Sequence, residues 1–254
     1  MQVQSGSPEP LVLVAGLGQA PWVWRDVLPA LQRERRVIVF AASGTGSRAG
    51  LPPRRSVDEM AADVLAELDG PAHVRGFSMG GYVALTLALA EPELVRALLL
   101  VATGAGGPGR VPRPRWVADA TAEALRLPDP EFAERTMPFT FSPGWVEATP
   151  QRFREIMEAR IEHPTPYALL EAHAAACFEF YARGCEVERI RAPALVLHGD
   201  KDLIVPVENG RMLAARLPNA QYVELPERGH NLMLEDPEAF TRVVADFVRA
   251  HAAA

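Results

Sequence analysis

The chain has 254 residues, 48% of them apolar, enough for one large domain or for a core that carries an inserted segment. With 26 basic residues against 32 acidic ones the formal charge is −6, which argues against nucleic acid or an anionic membrane surface as the main partner. No apolar run approaches the roughly 18 residues that cross a bilayer, Met1–Pro10 lacks the basic-then-apolar order of a leader, and the two cysteines, Cys177 and Cys185, have neither Cys-x-x-Cys spacing nor a reason to pair in a reducing compartment. The expectation is a cytoplasmic protein with no cofactor and no metal. Arginine supplies nearly all the positive charge, since Lys201 is the only lysine, and this reads as compositional bias and not as a binding patch.

Leu11–Ala15 is a continuous apolar strand that ends in Gly16-Leu17-Gly18. The spacing of Trp22, Val23, Val27 and Leu31 predicts a helix over 22–32. Val37–Ala42 is a second strand, closed by the turn Ser43-Gly44-Thr45-Gly46-Ser47, and Pro52 and Pro53 mark a loop. Ser56, with Glu59 three residues on, forms a capping box that opens a helix running to about Asp69, where Gly70-Pro71 stops it. The strand Ala72–Phe77, the helix Met79–Ala90 and the strand Ala97–Ala102 follow. Near-continuous apolar strands alternating with helices predict an α/β fold whose parallel sheet is covered on both faces.

Residues 103–190 break the alternation. A Gly- and Pro-rich stretch, 104–114, leads into short helices, three of which carry a capping residue before proline: Asp129-Pro130, Thr149-Pro150 and Thr165-Pro166. Trp116, Phe132, Phe139, Phe141, Trp145, Phe153, Tyr167, Phe178 and Tyr181 are more large rings than short surface helices need. Some are therefore expected to face a shared cavity, while most pack on one another. Strand–helix alternation resumes with Ala194–His198, Val207–Leu217, Gln221–Leu225 and Pro237–Ala250. The expected organisation is a core of 1–102 and 191–254, with 103–190 inserted as a helical cap.

Gly76-Phe77-Ser78-Met79-Gly80-Gly81 places a serine on the turn between a strand and a helix. Such a turn strains the serine backbone and pushes the hydroxyl outward, and glycines at 76 and 80 relieve crowding across the corner. The pattern also occurs by chance, so its partners decide its meaning. A serine hydroxyl needs a base, and the base needs an orienting acid. An open parallel sheet collects such groups in the loops at the carboxyl ends of its later strands. Two loops qualify: His198-Gly199-Asp200-Lys201-Asp202, with either aspartate available, and Glu227-Arg228-Gly229-His230. His198 ends a strand and reads as structural; His73, His163, His173 and His251 lack ligand-like spacing and read as surface or cap residues.

The Gly76–Gly81 motif, His198–Asp202 with Val205-Pro206, and Gly229-His230 followed by Glu235-Asp236-Pro237-Glu238 together resemble the α/β-hydrolase superfamily over nearly the whole chain. That resemblance implies Ser78 as nucleophile, Asp202 as acid, His230 as base, and an oxyanion hole from the backbone amides of Leu17 and Met79. It also implies a sheet of six or seven strands, because the strand pair that usually precedes Leu11 is reduced or missing. The chain departs from the family pattern at Ala15-Gly16 (usually His-Gly), at Ala41 (usually Asp) and at Gly44-Thr45-Gly46 (usually Gly-His-Gly). These departures leave Gln19 and Trp22 as candidate substrate contacts, beside Phe139 and Trp145 of the cap. The elbow also resembles cofactor-free haloperoxidases and arylesterases, and the length and Leu17-Gly18 loop resemble enol-lactonases. The expected activity is hydrolysis of small to medium, fairly apolar esters or lactones through an acyl-serine. Carbon–carbon bond hydrolysis, acyl transfer, perhydrolysis and a non-catalytic ligand-binding role are the alternatives.

Overall fold

The computed structural model describes residues 9–251. The strand pair expected to be missing before Leu11 would fall on residues 1–8, outside the described residues. Six strands form one sheet in the order β2-β1-β3-β4-β5-β6, and every neighbouring pair is parallel. They are β1 (Leu11–Val14), β2 (Val37–Phe40), β3 (Ala72–Phe77), β4 (Val95–Val101), β5 (Ala194–Gly199) and β6 (Ala220–Leu225). Successive side chains of a strand point to opposite faces, and here both faces are buried. Val12, Val14, Val74, Leu98 and Leu100 join one core. Leu11, Leu13, Phe77, Leu99 and Val101 join the other.

Eleven helices are described, α1 (Leu28–Gln32), α2 (Val57–Leu65), α3 (Met79–Ala90), α4 (Arg115–Ala124), α5 (Glu131–Thr136), α6 (Trp145–Ala148), α7 (Pro150–Ile161), α8 (Tyr167–Arg183), α9 (Val207–Arg216), α10 (Leu232–Glu235) and α11 (Pro237–Ala250). The helix expected over 22–32 is broken into a single 3-10 turn, Pro21–Trp24, and the short α1. Pro29 is the cause: it suits a first helical turn but has no N–H to bond back to residue 25. The capping box of α2 forms as expected, with Ser56 accepting from Glu59 N and the Glu59 carboxylate accepting from Ser56 N. Helix α3 is apolar on all sides because it is covered by its neighbours, and only Thr86, Leu89 and Ala90 in it escape full burial.

Three helices of the segment between β4 and β5 start where the residue–proline pairs place them, but the side chains before those prolines do not cap. Asp129 instead takes two 2.7 Å hydrogen bonds from the Arg160 guanidinium and one of 2.7 Å from Thr165 N. Thr149 Oγ1 donates to Trp145 O, and Thr165 Oγ1 donates to Gly18 O at 2.7 Å. The Arg160–Asp129 pair is almost entirely buried. Removing one member of such a pair leaves the other charge uncompensated, so Arg160→Met should lower the unfolding free energy by about 3–5 kcal/mol. Urea unfolding measures this, and adding Asp129→Asn should recover part of the loss.

His73 corrects its reading as a surface or cap residue, and His173, which lies in the segment expected as the cap, is equally buried. His73 is enclosed because β3 lies between β1 and β4 with both of its faces covered, and His173 on α8 is enclosed where it meets Gly18. Burial, joined at His73 by the Arg35 charge, pushes each down to about 4. Between pH 6.5 and pH 4 an unfolded chain therefore takes up protons that the folded chain refuses, and folding stability must fall as pH falls through that window. Each histidine can contribute up to about 3 kcal/mol. The urea midpoint should drop between pH 6.5 and 4, less steeply in His173→Gln than in the parent.

Candidate active site

The sharp corner between β3 and α3 holds Ser78 at φ 54°, ψ −119°, a region that non-glycine residues enter only when their surroundings force it. Ser78 N donates to Val101 O at 2.9 Å, and Ser78 O accepts from Gly81 N and from Thr103 Oγ1. Glycine is required on both sides of the corner. A Cβ on Gly76 would lie 2.2 Å from Gly80 O, and one on Gly80 would lie 2.2 Å from Val14 O. The backbone of β1 thus presses directly against the start of α3.

The loop after β5 carries Asp202 and the loop after β6 carries His230, both buried. Asp202 Oδ2 stands 2.7 Å from His230 Nδ1. The other carboxylate oxygen, Oδ1, accepts from the amides of Ile204 and Val205 at 2.8 and 2.9 Å. Burial alone would raise the Asp202 carboxyl, but the charge of His230 and hydrogen bonds from both His198 and His230 hold it well below the usual carboxylate range. Asp200, the other aspartate open to the sequence, turns to Lys201 at 3.2 Å. With Nδ1 committed to Asp202, Nε2 is the ring nitrogen of His230 left for the cavity that it lines together with Ser78. The Phe77 ring packs against the imidazole, with centroids 4.9 Å apart. Glu235 fixes the loop by accepting from Gly229 N and from both Ser142 N and Ser142 Oγ.

The cavity over Ser78 has a volume of about 120 Å³, below the roughly 300–1,000 Å³ of pockets for drug-sized ligands. Gly16, Leu17, Gly18 and Gln19 form one wall, and the segment between β4 and β5 forms the roof. A much larger cleft of about 990 Å³, bounded by α3, α9 and the loop 105–110, touches none of Ser78, Asp202 and His230.

The other candidates separate. Leu17 and Gln19 line the cavity, and Gln19 Nε2 donates to Asn231 Oδ1 at 3.3 Å. Among the described residues, Leu17 N and Met79 N have no hydrogen-bond partner. Trp22 is not brought to the cavity: it is 6% exposed and belongs to the core under the sheet. Trp145 stacks on Phe141 at 4.6 Å and Phe139 packs edge-on against Trp116 at 5.3 Å, so neither lines the cavity. Of the nine aromatic residues named above between β4 and β5, Phe132 and Tyr181 alone reach it.

Several residues at the site carry no local sequence signal. His173 Nδ1 accepts from Gly18 N at 3.3 Å while Thr165 donates to Gly18 O, so two residues of the segment between β4 and β5 clamp Gly18 through the peptides on either side of it, in the loop beside Ser78. Gly18 has φ +65°, and a Cβ there would meet Leu170 at 2.6 Å. His198 is more than a structural end to β5, because its Nε2 lies 3.2 Å from Asp202 Oδ2 and 2.8 Å from Val205 O. Asn231 joins Gln19 to Thr140 of the roof, donating to Thr140 Oγ1 at 2.7 Å. Cys177 and Cys185 are both free. Cys177 lines the cavity, but burial pushes its thiol up to about 12, which keeps it protonated and unreactive. Among the described residues no cluster of three or more His, Cys, Asp or Glu is placed to hold a metal ion, and no helix is long and apolar enough to cross a membrane.

Residues 11–243 match the model of the Alpha/beta hydrolase family. The chain is 32% identical over 251 residues to the "Putative carbamate hydrolase RutD" of Pseudomonas savastanoi pv. phaseolicola, covering 94% of this chain and 93% of that protein. Among solved structures it resembles the enol-lactonase of Burkholderia xenovorans LB400, with TM-score 0.82 and 26% identity over 97% of this chain and 94% of that one. It also resembles a thermophilic esterase of Thermogutta terrifontis, with TM-score 0.79 and 26% identity over 97% and 92% of the two chains. The family match, the parallel six-stranded sheet and the strained serine at the β3–α3 corner agree: the chain belongs to the alpha/beta hydrolase family.

Proposed function

We propose that the chain is a serine hydrolase of small carboxylic esters or lactones, in which Ser78 is the nucleophile, His230 the base and Asp202 the orienting acid. The observation that carries this reading is the 2.7 Å contact between Asp202 and His230 Nδ1, beside a cavity that His230 and Ser78 line together. His230 Nε2 takes the Ser78 proton as Oγ bonds to the substrate carbonyl carbon. The oxygen that becomes negative is held by the amides of Leu17 and Met79, the latter at the positive end of α3. His230 then gives the proton to the leaving oxygen as its bond to carbon breaks, leaving an acyl-serine. Water repeats the sequence: it loses a proton to His230, attacks the acyl carbon, and releases acid and free Ser78. The small cavity favours short acyl groups.

Turnover of a p-nitrophenyl ester series, with labelling of Ser78 by a fluorophosphonate, tests the assignment; the absence of labelling would overturn it. Because of the relative named as a carbamate hydrolase, p-nitrophenyl carbamates belong in the same series. The clamp on Gly18 gives a separate expectation. His173→Leu removes the acceptor that orients the Leu17–Gly18 peptide, so kcat should fall by about 10- to 100-fold with KM nearly unchanged, short of the roughly 10²–10³ that follows outright loss of an oxyanion donor. A rise in KM with kcat unchanged would show that His173 shapes the pocket and not the loop.

A further inference from the structure

The wall of the Ser78 cavity contains two arginines, Arg113 and Arg160, and no aspartate or glutamate. Arg160 is neutralised, because Asp129 engages both its terminal nitrogens at 2.7 Å. Arg113 has no such partner: among the described residues no carboxylate lies within ion-pair distance of it. It is only half-buried, on the stretch that leads from β4 into α4, and the polar groups around it are the Tyr181 hydroxyl, Tyr82 and Cys177. Burial raises the phenols of Tyr181 and Tyr82 and the thiol of Cys177, so all three are neutral at pH 7 and none offsets the guanidinium. The Tyr181 ring is itself held by Arg110, stacked 4.5 Å from its centroid, which fixes the hydroxyl that Arg113 meets. The cavity therefore has a nucleophile at one side and an uncompensated planar cation at another, within about 120 Å³.

From this we infer that Arg113 receives an anionic group of the substrate, and that the preferred substrates are short esters or lactones carrying a free carboxylate. The inference rests on the reading of Ser78 as an ester-cleaving nucleophile. A guanidinium offers a carboxylate two parallel N–H donors in a fixed fork, which gives orientation as well as affinity. Where a site is built around such a partner, an analogue without it loses binding and leaves the site's own polar group unpaired. The small volume adds a limit: carboxylate and scissile carbonyl must be only a few bonds apart. The Arg113 contact is made by ground state and transition state alike, so its loss should be read mainly in KM.

The test compares each of monomethyl succinate and monomethyl glutarate with its neutral isostere, in which the free carboxylate is a carboxamide. In the parent enzyme kcat/KM should favour the anion by about 10- to 100-fold, the range of a hydrogen bond to a charged group. The preference should shrink as ionic strength rises from about 0.01 M to about 1 M, since salt screens a half-buried pair. Arg113→Met should abolish the preference, and Arg113→Lys should restore part of it. Equal rates for ester and isostere in the parent enzyme would overturn the inference without recourse to any variant. So would a preference that survives in Arg113→Met. If no ester, p-nitrophenyl esters included, is turned over, the hydrolase reading fails instead. Calorimetric titration of Ser78→Ala with monomethyl succinate and with its carboxamide then decides Arg113 alone: tighter binding of the anion supports the inference, and equal binding overturns it.

Discussion

Alanine at position 78 should reduce kcat/KM towards p-nitrophenyl acetate by about 10⁴- to 10⁶-fold, the span seen when a member of a serine triad is removed from other hydrolases. Without Oγ no acyl-enzyme can form. What survives is the contribution of the oxyanion amides and of the cavity, which positions ester and water without joining them. Fold should be preserved, because the hydroxyl carries none of the corner's hydrogen bonds. Those run from Ser78 N to Val101 O, and to Ser78 O from Gly81 N and Thr103 Oγ1. Losing the strained serine conformation is not an expected benefit either, since alanine at φ 54° is strained as much as serine. The measurement is a pair: an unchanged unfolding midpoint with activity at the limit of detection. Residual activity within tenfold of the parent would place the nucleophile elsewhere.

Asparagine at position 202 is expected to cost about 10⁴-fold in kcat, with KM little affected. Asp202 Oδ1 accepts from Ile204 N and Val205 N, while His230 Nδ1 and His198 Nε2 stand 2.7 and 3.2 Å from Oδ2. An amide has one oxygen. If that oxygen stays with the two backbone amides, the NH₂ group faces His230 Nδ1, which must then become an acceptor. The ring proton moves to Nε2, and the base can no longer receive a proton from Ser78. If the amide flips, two buried N–H groups lose their acceptor, at about 1–3 kcal/mol each. His198 makes this site less forgiving than a single acid–base pair, because a second imidazole competes for the same oxygen. The signature to look for is a large drop in kcat at pH 7 that is partly relieved at high pH. Equal activity of Asp202→Asn and the parent would mean that Asp200, which here meets Lys201, serves as the acid.

Much of the fold is legible in local pattern. Largely apolar strands alternating with helical periodicity dictate a parallel sheet covered on both faces, because that arrangement buries both sides of the central strands β1, β3 and β5. Ser56 and Glu59 specify their own capping box, since the partners are three residues apart. Ser78 and His230 stand out as candidates from a glycine-flanked serine at a strand–helix turn and from the loop after β6, whereas the loop after β5 leaves Asp200 and Asp202 both open, and only the family resemblance prefers Asp202. Aromatic content was a weaker guide. Trp22, Phe139 and Trp145 are large and apolar, and such side chains fill cores and pair with one another wherever packing permits. Only contact geometry distinguishes them from Phe132 and Tyr181, which reach the cavity.

By itself, then, the sequence determined the sheet, the strained corner at Ser78 and the chain order of the residues proposed as nucleophile, acid and base, because each is encoded within a few consecutive residues. Tertiary structure alone decided how the corner is furnished. His173 reaches Gly18 across 155 positions and Thr165 reaches it across 147, while Gln19 meets Asn231 across 212. No periodicity spans such distances, and a histidine that accepts one backbone hydrogen bond looks in sequence like any other. The same holds for the two cavity arginines: Arg160 and Arg113 are alike as letters, and only the position of Asp129 leaves one neutralised and the other open to an anion.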